Sequence, residues 1–302
     1  MTELVFLLIY AGVLVFVVGC VRRVLQYSRT PLHLRWELYP VPHEAPERVK
    51  HGGSYFEEGE YWKKERHTNL AGELSFMIPE MLLLKGLWEF NRKLWYRSFP
   101  FHFGLYLLIG AAVLSGIGAM LGGFAFGAAL FAVARCCAWS GLVLAALGGT
   151  ALFWRRLTDP ELRNYTNLGD LVNVGAFALA CALVILGSLT GVLMPLGAFA
   201  RALFTFDTSV KLPAMVSAGL MLGSVILGYI PYTHMAHFVA KYFTYHEVRW
   251  DDTPNNAKIA ARVAEYLTYR PTWLAPHIGA DGLRTWADVA TTNPTVAPEV
   301  RK

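Results

Sequence analysis

Long apolar stretches alternate with polar ones along this chain. Five of the apolar stretches come near or exceed the ~20 residues a helix needs to cross a bilayer. They are residues 4–21, 99–121, 127–154, 171–196 and 212–239. The pattern predicts an all-α, polytopic membrane protein whose five-helix bundle falls within residues 1–245. A long loop at 22–98 follows the first helix, and a polar tail occupies 246–302. The first stretch has no basic segment before it and no small-residue cleavage site after it, and it ends in Val21-Arg22-Arg23. It therefore reads as a retained anchor and not as a cleaved signal peptide.

The loop is too long to be a plain connector. Its first part, from Pro31 to Glu44, is rich in proline and aromatic residues, which favours extended, packed chain over helix. From Leu70 to Trp95, apolar residues recur at helical intervals (Leu70, Leu74, Met77, Met81, Leu84, Trp88) among Lys and Glu. That spacing predicts one amphipathic helix on the membrane surface, either a plain interfacial helix or a shelf for a soluble partner.

Charge then sets orientation. Lys and Arg crowd residues 22–97, the link 155–163 and the tail after Lys241. The other two links offer only Arg135 at one, and Arg201 and Lys211 at the other. By the positive-inside rule the crowded side is cytoplasmic, with the N-terminus periplasmic and the C-terminus cytoplasmic in a prokaryotic inner membrane. The net charge of +5 follows from the same rule and makes no case for nucleic acid.

Candidate chemistry rests on two histidines. His102 opens the second stretch in Ser-Phe-Pro-Phe-His-Phe-Gly, just after a proline placed to start the helix, and His237 closes the fifth in Tyr-Ile-Pro-Tyr-Thr-His-Met-Ala-His. An ionisable side chain at membrane depth is costly and marks function by default. On the topology above the two lie at one depth, and a pair of imidazoles from facing helices is what a b-type haem requires. Gly104 would leave room for the flat macrocycle. Pro231 should kink the fifth helix one to two turns before His237. His234 is turned about 60° from His237 on a helix, close enough to compete as ligand or to reach a haem propionate. The plain alternative for each histidine is an interfacial side chain that only snorkels. Tyr232 and His246 near the inner face, and Arg135 toward the outer one, are candidates for a quinone or polar site, with snorkelling the simpler role for Arg135. The remaining histidines lie outside the spans.

The four cysteines, Cys20, Cys136, Cys137 and Cys181, fall in or beside apolar stretches and form no CxxC, CxxCH or ferredoxin-like spacing. They read as small packing residues, which argues against iron–sulfur clusters and covalently attached haem in this chain.

Phe101-His102-Phe103-Gly104 and Pro231-Tyr-Thr-His-Met-Ala-His237 resemble the cytochrome b (gamma) subunit of respiratory nitrate reductase and its relatives. Arg35-Trp-Glu-Leu-Tyr-Pro-Val-Pro-His-Glu44, Leu157-Thr-Asp-Pro-Glu-Leu-Arg163 and Lys241-Tyr-Phe-Thr-Tyr-His-Glu-Val-Arg-Trp-Asp-Asp252 are similar to stretches of one subgroup, the DsrM, TmcC, HmcE and HdrE-type membrane cytochromes. The resemblance spans nearly the whole chain. It implies a haem b subunit of a respiratory complex, passing electrons between a quinone pool, menaquinone by analogy, and a cytoplasmic iron–sulfur subunit like that of heterodisulfide reductase. Further membrane or periplasmic cytochrome subunits are compatible with it. Two-haem members carry a second histidine pair where this chain reads Gly110-Ala-Ala-Val113 and Ala218-Gly-Leu220, so the resemblance implies one haem b here. The chain departs from the nitrate reductase relatives at His234, where they tend to have arginine. Two other readings stay open: a haem-free membrane anchor for a soluble redox enzyme, and a secondary transporter. The spans lack the repeats and midplane charge a transporter would need.

Overall fold

A computed structural model describes residues 1–30, 32–34, 60, 63, 70–121, 125–190, 196–244, 248–249, 256–272, 274–275 and 278–291. The helices, in chain order, are α1 (Thr2–Arg29), α2 (Leu70–Leu83), α3 (Lys85–Phe90), α4 (Arg92–Met120), α5 (Ala125–Thr158), α6 (Pro160–Tyr165), α7 (Leu168–Thr190), α8 (Leu196–Thr205), α9 (Ala214–Tyr229), α10 (His237–Thr244), α11 (Ala257–Leu267) and α12 (Trp286–Thr291). Five of them, α1, α4, α5, α7 and α9, are long and apolar enough to cross a membrane. The chain divides into two compact units, one of Met1–Arg23 with Tyr96–His237, the other of Val24–Trp95 with Phe238–Lys302.

The first unit is the bundle of spans. Its boundaries shift from the expected ones where local capping overrides hydropathy. The second span starts at Arg92, not at residue 99, because Asn91 Oδ1 accepts from the Leu94 amide at 3.0 Å and caps the helix. Pro100 is therefore inside the helix and not at its start. The third span runs on to Thr158, where Asp159 stops it and begins α6, its side chain accepting from the Glu161 and Leu162 amides ahead of Pro160. The fourth begins at Leu168 under a reciprocal cap: the Asn167 amide donates to Asp170 Oδ2 at 3.0 Å, and the Asp170 amide to Asn167 Oδ1 at 3.1 Å.

Short links make successive spans antiparallel, so the start of α4, the end of α5, the start of α7 and the end of α9 share one end of the bundle. Small residues let the helices close. A Cβ on Gly104 of α4 would meet the Ala145 amide nitrogen of α5 at 2.5 Å and the Gly141 carbonyl at 2.8 Å. A Cβ on Gly219 of α9 would lie 2.7 Å from Val184 and 2.8 Å from the Ala180 carbonyl of α7. The outward faces stay apolar, as at Leu7, Leu14, Ile109, Leu147 and Leu189.

Hydropathy alone missed α8. Leu196, Phe199, Ala200 and Leu203 recur at helical spacing within what reads as a link. This helix packs on the first turns of α1: Val5, Phe6 and Ala202 form a core cluster with Phe199 and Leu203 around it. Thr2 Oγ1 donates to the Val210 carbonyl at 2.7 Å, and the Tyr10 hydroxyl donates to the Leu203 carbonyl.

In the second unit the expected surface helix over 70–95 is broken twice. Leu84 sits in left-handed backbone (φ 52°, ψ 48°) and Asn91 in a second non-helical turn. Trp95 Nε1 answers the first break by donating to the Leu83 carbonyl at 2.8 Å, with its ring edge-on to Trp88 at 4.8 Å. Glu80 accepts from the Gly86 amide at 2.8 Å and pairs with Lys241 at 3.3 Å. The tail is also more structured than its prolines suggest. Leu32–Leu34 pairs antiparallel with Val248–Arg249, joining loop to tail, and Leu274–Ala275 pairs with Ile278–Gly279. These two short ladders are the only strands among the described residues.

Candidate functional site

The fifth span does not end as a plain α-helix. Pro231 lacks the amide hydrogen that would continue the ladder, and the chain passes into two 3-10 turns, Ile230–Tyr232 and His234–Ala236. Between them Thr233 is extended (φ −123°, ψ 175°), and its Oγ1 accepts from the Met235 amide at 3.1 Å. The expected kink is thus a defined break that re-aims the residues after it. Arg23 of α1 secures it, Nε donating to the Pro231 carbonyl at 2.9 Å.

Beyond the break, His237 meets His102. The ring centroids stand 6.0 Å apart with planes inclined at 71°. His102 Nδ1 is 2.8 Å from the Ser98 carbonyl one helical turn back. A carbonyl only accepts, so Nδ1 carries the proton and Nε2 keeps a lone pair. The ring is seated by Phe101, edge-on at 5.4 Å, which is itself buried against Phe177 of α7 at 5.7 Å and beside Gly148 of α5.

His102 and His237 are the residues that would hold a haem iron, and the spacing of their rings is compatible with that. A metal bound to two opposed imidazoles at ~2 Å per bond separates their ring centres by roughly 6 Å. Among the described residues no group of three or more His, Cys, Asp or Glu could hold a bare metal ion. A macrocycle brings four nitrogens of its own, so two imidazoles complete its coordination. A carbonyl on the far nitrogen of a ligating histidine is the usual support for ring orientation and basicity.

The other expected residues separate. His234 Nε2 is turned to Asp170 Oδ1 at 3.5 Å, and Asp170 Oδ2 also lies 3.6 Å from Arg156 Nη1. Gly104 faces α5 and its space is taken by backbone there, so helix packing, and not room for a macrocycle, is what its missing side chain provides. Tyr232 is half exposed near Gly19 of α1. Arg135 is exposed in the first third of α5, away from the end of that helix that faces the histidine pair, and shares no site with Tyr232. His246 lies outside the described residues, as do Arg35–Tyr39 and Trp250. All four cysteines are free thiols.

Sequence reading passed over Asp170, Arg156, Asn173 and the Ser98 carbonyl. Asp170 stood one residue before the expected start of the fourth span, where a carboxylate looks like ordinary interface polarity. The reciprocal spacing Asn167-Leu-Gly-Asp170 and the apolar run behind it were the available signal that the acid lies inside the helix.

No protein-family model matches the chain, and no curated protein matches it.

Proposed function

We propose that this chain is the haem b membrane subunit of a respiratory electron-transfer complex, holding one haem through His102 and His237. The observation that carries the reading is the 6.0 Å histidine pair, with His102 held in its Nδ1-protonated form by the Ser98 carbonyl. When bound, the haem supplies one-electron redox chemistry at its iron. The chain's own work is to present two imidazole nitrogens and to hold the His102 ring against Phe101. Burial and nearby charge then set the potential.

The positive-inside rule puts the end bearing Arg155, Arg156 and Arg163 in the cytoplasm. The complex so built exchanges electrons between membrane quinone, menaquinone by resemblance, and a cytoplasmic iron–sulfur subunit of the heterodisulfide-reductase kind. An optical spectrum with haem extraction on the purified chain tests the core of this reading. A Soret band with split low-spin α and β bands supports it, and a protein without them is a haem-free anchor. Cross-linking of the native complex tests the partner. Adducts from an iron–sulfur protein to the loop 22–98, the link 155–163 or the tail are expected. Adducts confined to residues near Gly123 or Arg201 would reverse the topology.

A further inference from the structure

We propose that Asp170, His234 and Asn173 form a binding site for a quinone headgroup, with Arg156 holding the Asp170 carboxylate in place. The proposal rests on the reading above, that the chain exchanges electrons with membrane quinone.

Asp170 is 8% exposed in the first turn of α7. A carboxylate at the edge of an apolar span is costly unless paired. Capping α7 occupies only Oδ2, which accepts from the Asn167 amide; Oδ1 is turned to His234. Capping therefore explains the acid but not its histidine partner. One turn along the same face of α7 lies Asn173, 4% exposed, whose Oδ1 has no hydrogen-bond partner among the described residues. A buried amide oxygen left unpaired is expensive, and a polar ligand beside it removes the cost. His234, by contrast, is 61% exposed, so the cluster is open on one side. With Nε2 facing the carboxylate, Nδ1 sits on the other ring edge, where it can accept from a hydroxyl or, protonated, donate to a carbonyl.

These donors and acceptors select the ligand. A quinone head is flat and uncharged, and each of its carbonyl oxygens becomes a hydroxyl on reduction. Its site must accept and donate at the same points, which His and Asn do and Asp assists. A phospholipid phosphate would demand donors and cations only, and the Asp170 carboxylate disfavours it. Position agrees as well: His234 precedes His237 by one 3-10 turn, roughly 6 Å of rise.

The test is binding of 2-heptyl-4-hydroxyquinoline N-oxide, a fluorescent quinone-headgroup analogue quenched on binding, to the full chain in lipid nanodiscs. Haem content is read from the same samples. Saturable quenching is expected, weakened tenfold or more in His234→Gln and in Asn173→Leu and unchanged in the exposed-site variant Lys211→Ala. His234 is exposed and Asn173→Leu leaves the α7 cap intact, so neither variant depends on refolding the bundle. No quenching by the unaltered chain, or quenching by both variants equal to the parent's, overturns the site. A chain without haem whose quenching is still lost in both variants keeps the site and removes the haem reading. A haem-containing chain whose variants bind as well as the parent removes the site alone.

Discussion

His102 and His237 stand with ring centroids 6.0 Å apart, although they come from different spans and the second lies beyond a broken helix. Two imidazoles left to pack as ordinary aromatic neighbours need no fixed tautomer. Here the Ser98 carbonyl fixes one, leaving His102 Nε2 as a lone-pair donor. A histidine pair with one tautomer fixed by a hydrogen bond is a more specific arrangement than two interfacial side chains.

Replacing either histidine with alanine should abolish bound haem, since one axial imidazole cannot hold a low-spin six-coordinate iron. His234→Ala should retain it, because His234 Nε2 faces Asp170. Haem extraction and the Soret band on purified variants measure this. One haem b per chain is expected from the parent, and two per chain, or loss of haem in His234→Ala alone, would require different ligands.

Gly104 and Gly110 lie on the same helix and should respond oppositely to a side chain. At Gly104 the α5 backbone is within 3.0 Å of a Cβ; at Gly110 nothing lies within 4 Å. Gly104→Val should push α4 from α5 and cost about 1–3 kcal/mol, with haem retention falling alongside because His102 moves with the helix. Gly110→Ala should be neutral or gain up to about 1 kcal/mol through helix propensity. Thermal unfolding in detergent followed by circular dichroism separates the two.

Five spans were legible from sequence because hydropathy over ~20 residues is set by composition, which packing does not alter. Their ends were less so: Asn91, Asp159 and the Asn167–Asp170 pair each moved a boundary by several residues, since a cap acts through one hydrogen bond and not through a run. The histidine pair was legible because its cost at membrane depth makes it conspicuous. The Asp170 cluster was not, because Arg156, Asp170 and His234 come from α5, α7 and the 3-10 turn after α9 and meet only after folding. Gly104 shows the opposite error: a glycine beside a candidate ligand invites a cofactor explanation, while the neighbour that needs the space is a helix backbone.

In the second unit, Asp281 should behave as a stability switch at low pH. Its carboxylate accepts from the Arg284 amide at 2.9 Å and the Leu283 amide at 2.8 Å, and these bonds hold its pKa down to about 2. A depressed folded value means the stabilisation is fully present above the ordinary carboxylate value of ~3.9 and is lost as pH falls toward about 2. Amide exchange at Leu283 and Arg284 should therefore stay protected at pH 5 and lose protection between about pH 4 and 2. Asp281→Asn should lose that pH dependence. Protection in the parent unchanged through pH 2 would dissociate the turn from this carboxylate.

The break at Pro231 should control whether His237 reaches His102 at all. In a 3-10 turn successive residues advance by about 120°, against about 100° in an α-helix. Across the residues of Ile230–Tyr232 and His234–Ala236 that difference alone turns His237 by an angle on the order of a third of a revolution from where a continuous helix would leave it, and extended Thr233 redirects the chain further. Proline maintains the break by withholding an amide hydrogen, and Arg23 Nε engages its carbonyl at 2.9 Å. Pro231→Ala restores the hydrogen and frees the segment to continue as α-helix, so haem occupancy should drop severalfold while helical content is equal or slightly higher. Arg23→Gln, which weakens the tether without restoring the helix, should cause a smaller loss. Haem-to-protein ratio against circular dichroism reads both effects, and a Pro231→Ala protein with full haem would show that the broken helix does not aim the ligand.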